Sequence, residues 1–217
     1  MFRVVVDHPF DVHSAPVAAQ GSSYVERARS DLWPFFRSRV VLGLNVMPAD
    51  RTMLFARLAQ LGIASTTVEH APMFTVEQSR ALRGQLPGAH TKNLFLVDKD
   101  GRMVLVVAKD DTRVDLKALA ERLKLGRLSF GKAPLLEAAL GVSPGSVTPF
   151  ALINDTEIRV KAVVDAALLG FAEVNCHPLV NSATTRLPTS ELLRFVEACG
   201  HRPVVLSLGG AEPTGAA

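Results

Sequence analysis

Lys92-Asn93-Leu94-Phe95-Leu96-Val97-Asp98-Lys99-Asp100-Gly101-Arg102-Met103-Val104-Leu105-Val106-Val107-Ala108 reads as two apolar strands around a tight turn. Lys92 to Val97 and Met103 to Ala108 are strand-like runs, and Asp98-Lys99-Asp100-Gly101 between them carries the polar and glycine residues that turns require. Such a hairpin joins its strands antiparallel, so the sheet that contains it is not purely parallel.

Helices and strands interleave on both sides of this hairpin. Upstream, Asp50 caps a helix through Leu61 whose Leu54, Leu58 and Leu61 share one face, and Gly62 stops it. Thr66 to Glu69 reads as a short strand. Thr75 and Gln78 form a capping box for a helix ending near Gly84. Downstream, helices are expected from Asp115 to Leu123, from Pro134 to Leu140 and from Ser190 to Cys199. Strands are expected at Phe150 to Ile153, Ile158 to Val164, Ala172 to Asn175 and Pro203 to Leu208. This alternation around a hairpin predicts a mixed sheet with helices around it.

The chain has 217 residues, 48% of them hydrophobic, enough for a genuine core. No apolar run reaches the ~18 residues of a membrane span. Val4-Val5-Val6 followed by Asp7 makes a poor secretory signal, so a cytoplasmic protein is expected. Cys176 and Cys199 match no zinc or redox spacing, and neither a metal nor a cofactor is expected. A net charge of +3 from 24 basic and 21 acidic side chains permits a transient RNA contact without the dense basic stripe of a DNA reader.

Residues 1–46 show no sustained helical or strand period and stand apart from 47–209. Two readings stand side by side: a poorly ordered N-terminal extension of unknown role, or a gene start placed too early with Met47 as the true first residue. The tail 210–217 is small and polar enough to fray.

Phosphate-binding glycine loops, the H-E-x-x-H zinc motif and the nucleophile elbow are all missing from the sequence. Cys176-His177 is a tempting thiol–imidazole dyad. On a strand, however, adjacent side chains point to opposite faces. Three features remain. Lys92 opens an apolar strand and can carry its ammonium over the sheet end, although on its own it reads as a rim lysine. In Gly141-Val142-Ser143-Pro144-Gly145-Ser146-Val147-Thr148-Pro149 two prolines stiffen the backbone and Gly145 admits close approach. The N–H groups of Gly145, Ser146, Val147 and Thr148 are donors for an anion or a developing oxyanion, though an ordinary rigid connection has the same composition. His177 precedes Pro178 and is held extended, as many structural histidines are.

Taken together and in order, three strings resemble the YbaK/prolyl-tRNA-synthetase-associated editing family. They are His90-Thr91-Lys92-Asn93-Leu94-Phe95-Leu96, Leu140 through Phe150 and His177-Pro178-Leu179-Val180-Asn181. Glu69-His70-Ala71-Pro72, Ala183-Thr184-Thr185 and Glu191-Leu192-Leu193-Arg194-Phe195 support them. The resemblance runs from about Met47 to Leu208 and is strongest to the free-standing Ala-tRNA(Pro) deacylase branch, the ProX or PrdX proteins. It implies an α+β domain whose mixed, strongly curved β-sheet, flanked by helices, walls a pocket for the aminoacylated 3′ end of tRNA. It also implies catalytic roles at Lys92, Gly145 and His177, with Ser146, Val147, Thr148 and Pro149 against the substrate. No metal is implied, and the 2′-hydroxyl of the terminal adenosine helps to orient or activate the attacking water.

That chemistry suits the residues present. An aminoacyl ester is already activated and chiefly needs a positioned water and a stabilised oxyanion. A synthetase pocket built for proline rejects alanine poorly, because a methylene is worth only ~1–3 kcal/mol, and a small second pocket corrects the error. Leu94, Phe150 and Leu152 are candidate walls, and Arg80, Arg83, Lys132 and Arg186 candidate RNA contacts. Mischarged tRNA is the expected partner, with prolyl-tRNA synthetase beside it and no membrane or DNA. The competing readings are deacylation of another mischarged tRNA such as Cys-tRNA(Pro), and a non-catalytic module that binds tRNA or a synthetase.

Overall fold

The structure is a computed structural model that describes residues 4–7, 47–72 and 86–209. Its strands are β1 (Val4–Asp7), β2 (Ser65–Glu69), β3 (Ala89–Val97), β4 (Met103–Lys109), β5 (Ser129–Phe130), β6 (Val160–Asp165), β7 (Glu173–Cys176), β8 (Ala183–Pro188) and β9 (Val204–Leu206). Helices α1 (Arg51–Gln60), α2 (Leu116–Leu123), α3 (Ala133–Leu140) and α4 (Thr189–Ala198) surround them, with 3-10 turns at Pro149–Asn154 and Ala166–Gly170.

Among the described residues the strands form one sheet in the order β1-β2-β8-β7-β3-β4-β6-β9, with β5 also paired to β3. The pairs β3–β7, β4–β6 and β6–β9 are parallel and the rest antiparallel, which makes the sheet mixed, open and flanked by helices, as expected. The hairpin forms with Lys92 opposite Ala108 and Val97 opposite Met103. Its turn is fixed by the Asp98 carboxylate, which accepts from the N–H groups of Asp100, Arg102 and Gly126 and from Arg102 Nε. Burial alone would raise the Asp98 pKa, but Arg102 and the backbone donors outweigh it and hold the group at about 2.

Alternation along β3 and β4 divides the interior into two cores. Ala89, Phe95, Met103, Leu105 and Val107 face the larger one, with α1, α3 and α4. Leu96, Val104, Val106 and Ala108 face the smaller one, under α2, and Leu94 packs against it. Phe150 and Phe195 meet edge-on in the larger core, 5.2 Å between centroids at 88°. Such a pair contributes ~0.5–1.5 kcal/mol beyond burial.

Several elements depart from the sequence reading, among them a turn and two strands. Pro149–Asn154 is a 3-10 turn, not a strand. Thr148 Oγ1 accepts from Phe150 N and Pro149 takes the first position, so the cap overrides the β-prone apolar run. Ala183–Pro188 and Val4–Asp7 are strands that the sequence reading did not identify, and both pair with β2. The helix expected from the Thr75–Gln78 capping box lies outside the described residues, as do Arg80 and Arg83.

Candidate functional site

β3 changes partner midway along one edge. It pairs with β7 at Ala89 and His90 and with β5 at Leu96 and Val97. Between these pairings residues 91–94 have no strand partner on that edge among the described residues. The segment 141–149 lies against this gap. Asn93 Nδ2 donates to the carbonyl of Val147 at 3.0 Å, while Asn93 Oδ1 is buried without a partner among the described residues.

The same segment meets the loop after β7. Gly145 has φ +90, a conformation that L side chains rarely adopt, and a Cβ there would find only Asn181 Nδ2, at 3.7 Å. The glycine is therefore demanded by the backbone and not by crowding. A turn closes through Ser146 N–H to the Ser143 carbonyl at 3.0 Å, so that donor is already used, which corrects the expectation of an open row of amides. The N–H groups of Gly145 and Val147 donate to no described residue.

His177 stands just past β7 in a loop whose Leu179 also has positive φ, 65°. His177 Nδ1 lies 3.2 Å from the Ala183 carbonyl, which only accepts, so Nδ1 carries the proton and Nε2 presents its lone pair. Burial lowers the His177 pKa, the Ala183 carbonyl opposes this, and nearby His70 lowers it further. At neutral pH the ring is uncharged. His70 is itself fixed, with Nδ1 on the Ala71 carbonyl at 2.9 Å and Nε2 on Thr184 Oγ1 at 3.0 Å. Thr91 Oγ1 donates to the Asn175 carbonyl at 2.9 Å and sits 3.6 Å from Cys176 Sγ. Burial pushes the Cys176 thiol up to about 12, which leaves it inert as a nucleophile at neutral pH.

Thus the Gly145 segment, the His177–Asn181 loop and Asn93 come together. Lys92 does not share their face. It belongs to the same pleat side as Leu94 and Leu96, opposite Asn93 and Phe95, and its charge is felt by Asp111 beyond β4. Leu94 packs on the smaller core for the same reason, and Phe150 and Leu152 are buried in the larger one at 0% and 1% exposure. Phe150 and Leu152 are thus core residues, and Leu94 is half-buried on the side of β3 away from Asn93. Ser146, Thr148 and Pro149 are buried too, with Val147 half-buried beside Asn93. Asn93, Asn181, His70 and Thr91 are the residues that the sequence reading quoted without giving them a role. Among the described residues no three His, Cys, Asp or Glu side chains cluster as metal ligands.

The profile of the aminoacyl-tRNA editing domain matches residues 70–195, which contain every residue of this constellation. The chain belongs to that editing-domain family. Among relatives of this editing domain, prolyl-tRNA synthetase associated domain-containing protein 1 of Danio rerio is 42% identical over 168 residues, covering 76% of this chain and 91% of the relative. The prolyl-tRNA editing protein ProX of Acetoanaerobium sticklandii is 37% identical over 149 residues, covering 68% and 91%. A solved structure described as a candidate trans-editing enzyme for prolyl tRNA synthetase superposes with a TM-score of 0.54 at 24% identity, covering 67% of this chain and 86% of its own. That likeness supports the editing-domain fold. No described helix is long and apolar enough to cross a membrane.

Proposed function

We propose that this editing domain hydrolyses the ester of mischarged Ala-tRNA(Pro) as a free-standing deacylase. The observation that carries the reading is the convergence of undonated backbone N–H groups at Gly145 and Val147 with the neutral His177 imidazole beside the gap in β3. The 2′-hydroxyl of the terminal adenosine orients the attacking water. The Gly145 and Val147 amides receive the carbonyl oxygen as it becomes an oxyanion, where preorganised donors count most. His177 Nε2 accepts a hydrogen bond from the water or the 2′-hydroxyl.

Lys92, on the other face of β3, is assigned the phosphate of the terminal nucleotide and not the reacting carbonyl. Its loss therefore acts on KM more than on kcat, with kcat/KM falling ~10–100-fold, the range of a charge-assisted hydrogen bond. Alanine is admitted and proline excluded by bulk.

The test follows ester loss from Ala-tRNA(Pro), Cys-tRNA(Pro), Pro-tRNA(Pro) and Ala-tRNA(Ala) under one set of conditions. Rapid clearance of the first alone supports the reading. Preferential clearance of Cys-tRNA(Pro) transfers the specificity to cysteine, and inertness toward all four makes the domain a binding module, the role to which the naming of some relatives only as synthetase-associated points.

A further inference from the structure

A second feature lies at the opposite end of the sheet from the editing site. A cleft of about 560 Å³ opens where β4 and β6 begin, between the end of α2 and the segment after α4. Arg102, Lys124, Arg159, Lys161 and Arg202 line it, all exposed, and no carboxylate does. Two of the five have acidic neighbours. Arg102 pairs with Asp98 at 2.6 Å and Asp100 at 3.0 Å, and Arg159 with Glu157 at 3.2 Å. Lys124, Lys161 and Arg202 have no acidic partner among the described residues. The rim is rigidly set. Asp155 accepts from the N–H groups of Arg159 and Val160, and Lys124 and Ile158 both hold positive φ, 54° and 56°.

Five cations around a concavity, three of them without counter-charges, focus a positive potential suited to phosphate. At the other end Lys109 pairs with Asp111, Arg186 with Glu173 and Arg51 with Glu69, which leaves Lys92 as the nearby cation without an ion pair among the described residues. That end supplies little electrostatic affinity for a polyanion. Six residue-to-residue steps along β4, from Met103 to Lys109, separate the two ends by roughly 20 Å at ~3.3 Å per step. A stacked nucleic-acid strand covers that in about six nucleotides at ~3.4 Å each. We propose that this cleft holds backbone phosphates of the acceptor stem of the tRNA whose 3′ end enters the editing site. The proposal rests on the editing reading, and the stem phosphates supply affinity beyond the single contact assigned to Lys92.

The test charge-reverses the three unpaired cations together, as Lys124→Glu, Lys161→Glu and Arg202→Glu, with Lys161→Ala alone as a milder control and circular dichroism to verify folding. Binding of uncharged tRNA(Pro) is read by fluorescence anisotropy across a salt series, and deacylation by steady-state kinetics. The expected result is at least tenfold weaker binding, a log–log salt slope shallower by roughly two to three, and a raised KM with kcat within about twofold. Unchanged affinity and slope overturn the proposal, as does equal competition by a DNA hairpin of the same length with KM unmoved. If no substrate is deacylated at all, the editing reading fails, while the anisotropy arm still decides whether the cleft binds RNA.

Discussion

The two ends of the sheet are chemically unlike. At one, amides, hydroxyls and imidazoles surround a stretch of β3 without a strand partner, and Arg51 and Lys109 are bound to carboxylates. At the other, five cations ring a cleft with no carboxylate in its lining. The difference follows from what each end is proposed to meet. An ester carbonyl is neutral until it is attacked, so discrimination there depends on donors fixed in place before the reaction. A phosphate backbone is charged throughout, and long-range attraction suits it. Geometry and affinity are thereby kept about 20 Å apart along β4.

That contrast is open to direct attack. The largest effect is expected from Gly145→Val. A side chain at φ +90 strains the backbone by about 1–2 kcal/mol and turns the Gly145 and Val147 amides away from the substrate. Loss of one such donor costs ~10²–10³ in rate. Single-turnover deacylation should fall at least ~100-fold while tRNA affinity holds; the opposite pattern would invert the division of labour. Asn93→Ala comes next, removing the tie to the Val147 carbonyl. A lost hydrogen bond of ~0.5–1.5 kcal/mol implies a drop of roughly two- to tenfold in kcat/KM. Hydrogen exchange across 143–149 should rise with it.

The third prediction concerns pH. Burial lowers the folded-state pKa of His177 below its ordinary 6.5, so the unfolded chain binds the proton more readily. The stability this neutral ring contributes is complete above about pH 6.5 and declines as pH falls toward the lowered folded value. Urea midpoints measured from pH 7.5 to 5 should show the decline, and His177→Gln should flatten it; an unchanged slope would mean that the ring is not buried as described. The smallest effect is expected at Cys176. With its thiol pushed up to about 12, native protein treated with iodoacetamide should retain full deacylation.

Much of this architecture is legible in the chain. The hairpin announces itself through two strand-like runs around Asp98–Gly101, and Asp50, Asp115 and Gly141 mark helix ends where the structure has them. β8 was hidden because Thr184, Thr185 and Arg186 look like a polar loop. It can be buried only because Thr67 and Thr185 satisfy each other at 2.9 Å across the strands. The run Phe150–Ile153 misleads in the other direction, since a short apolar stretch has no period to separate strand from turn. At the site, residue order pointed to the Gly145 segment and to His177. Strand parity would have separated Lys92 and Leu94 from Asn93, a signal present in the hairpin itself. The links from Asn181 to Gly145 and from His70 to Thr184 come from tertiary folding, which no local pattern encodes.

The parallel pairing of β3 with β7 sets Ala89 beside Val174, far apart in the chain. A growing polypeptide must therefore have emerged from the ribosome at least as far as Asn181 before the constellation can close, because His177 and Asn181 are made long after Asn93.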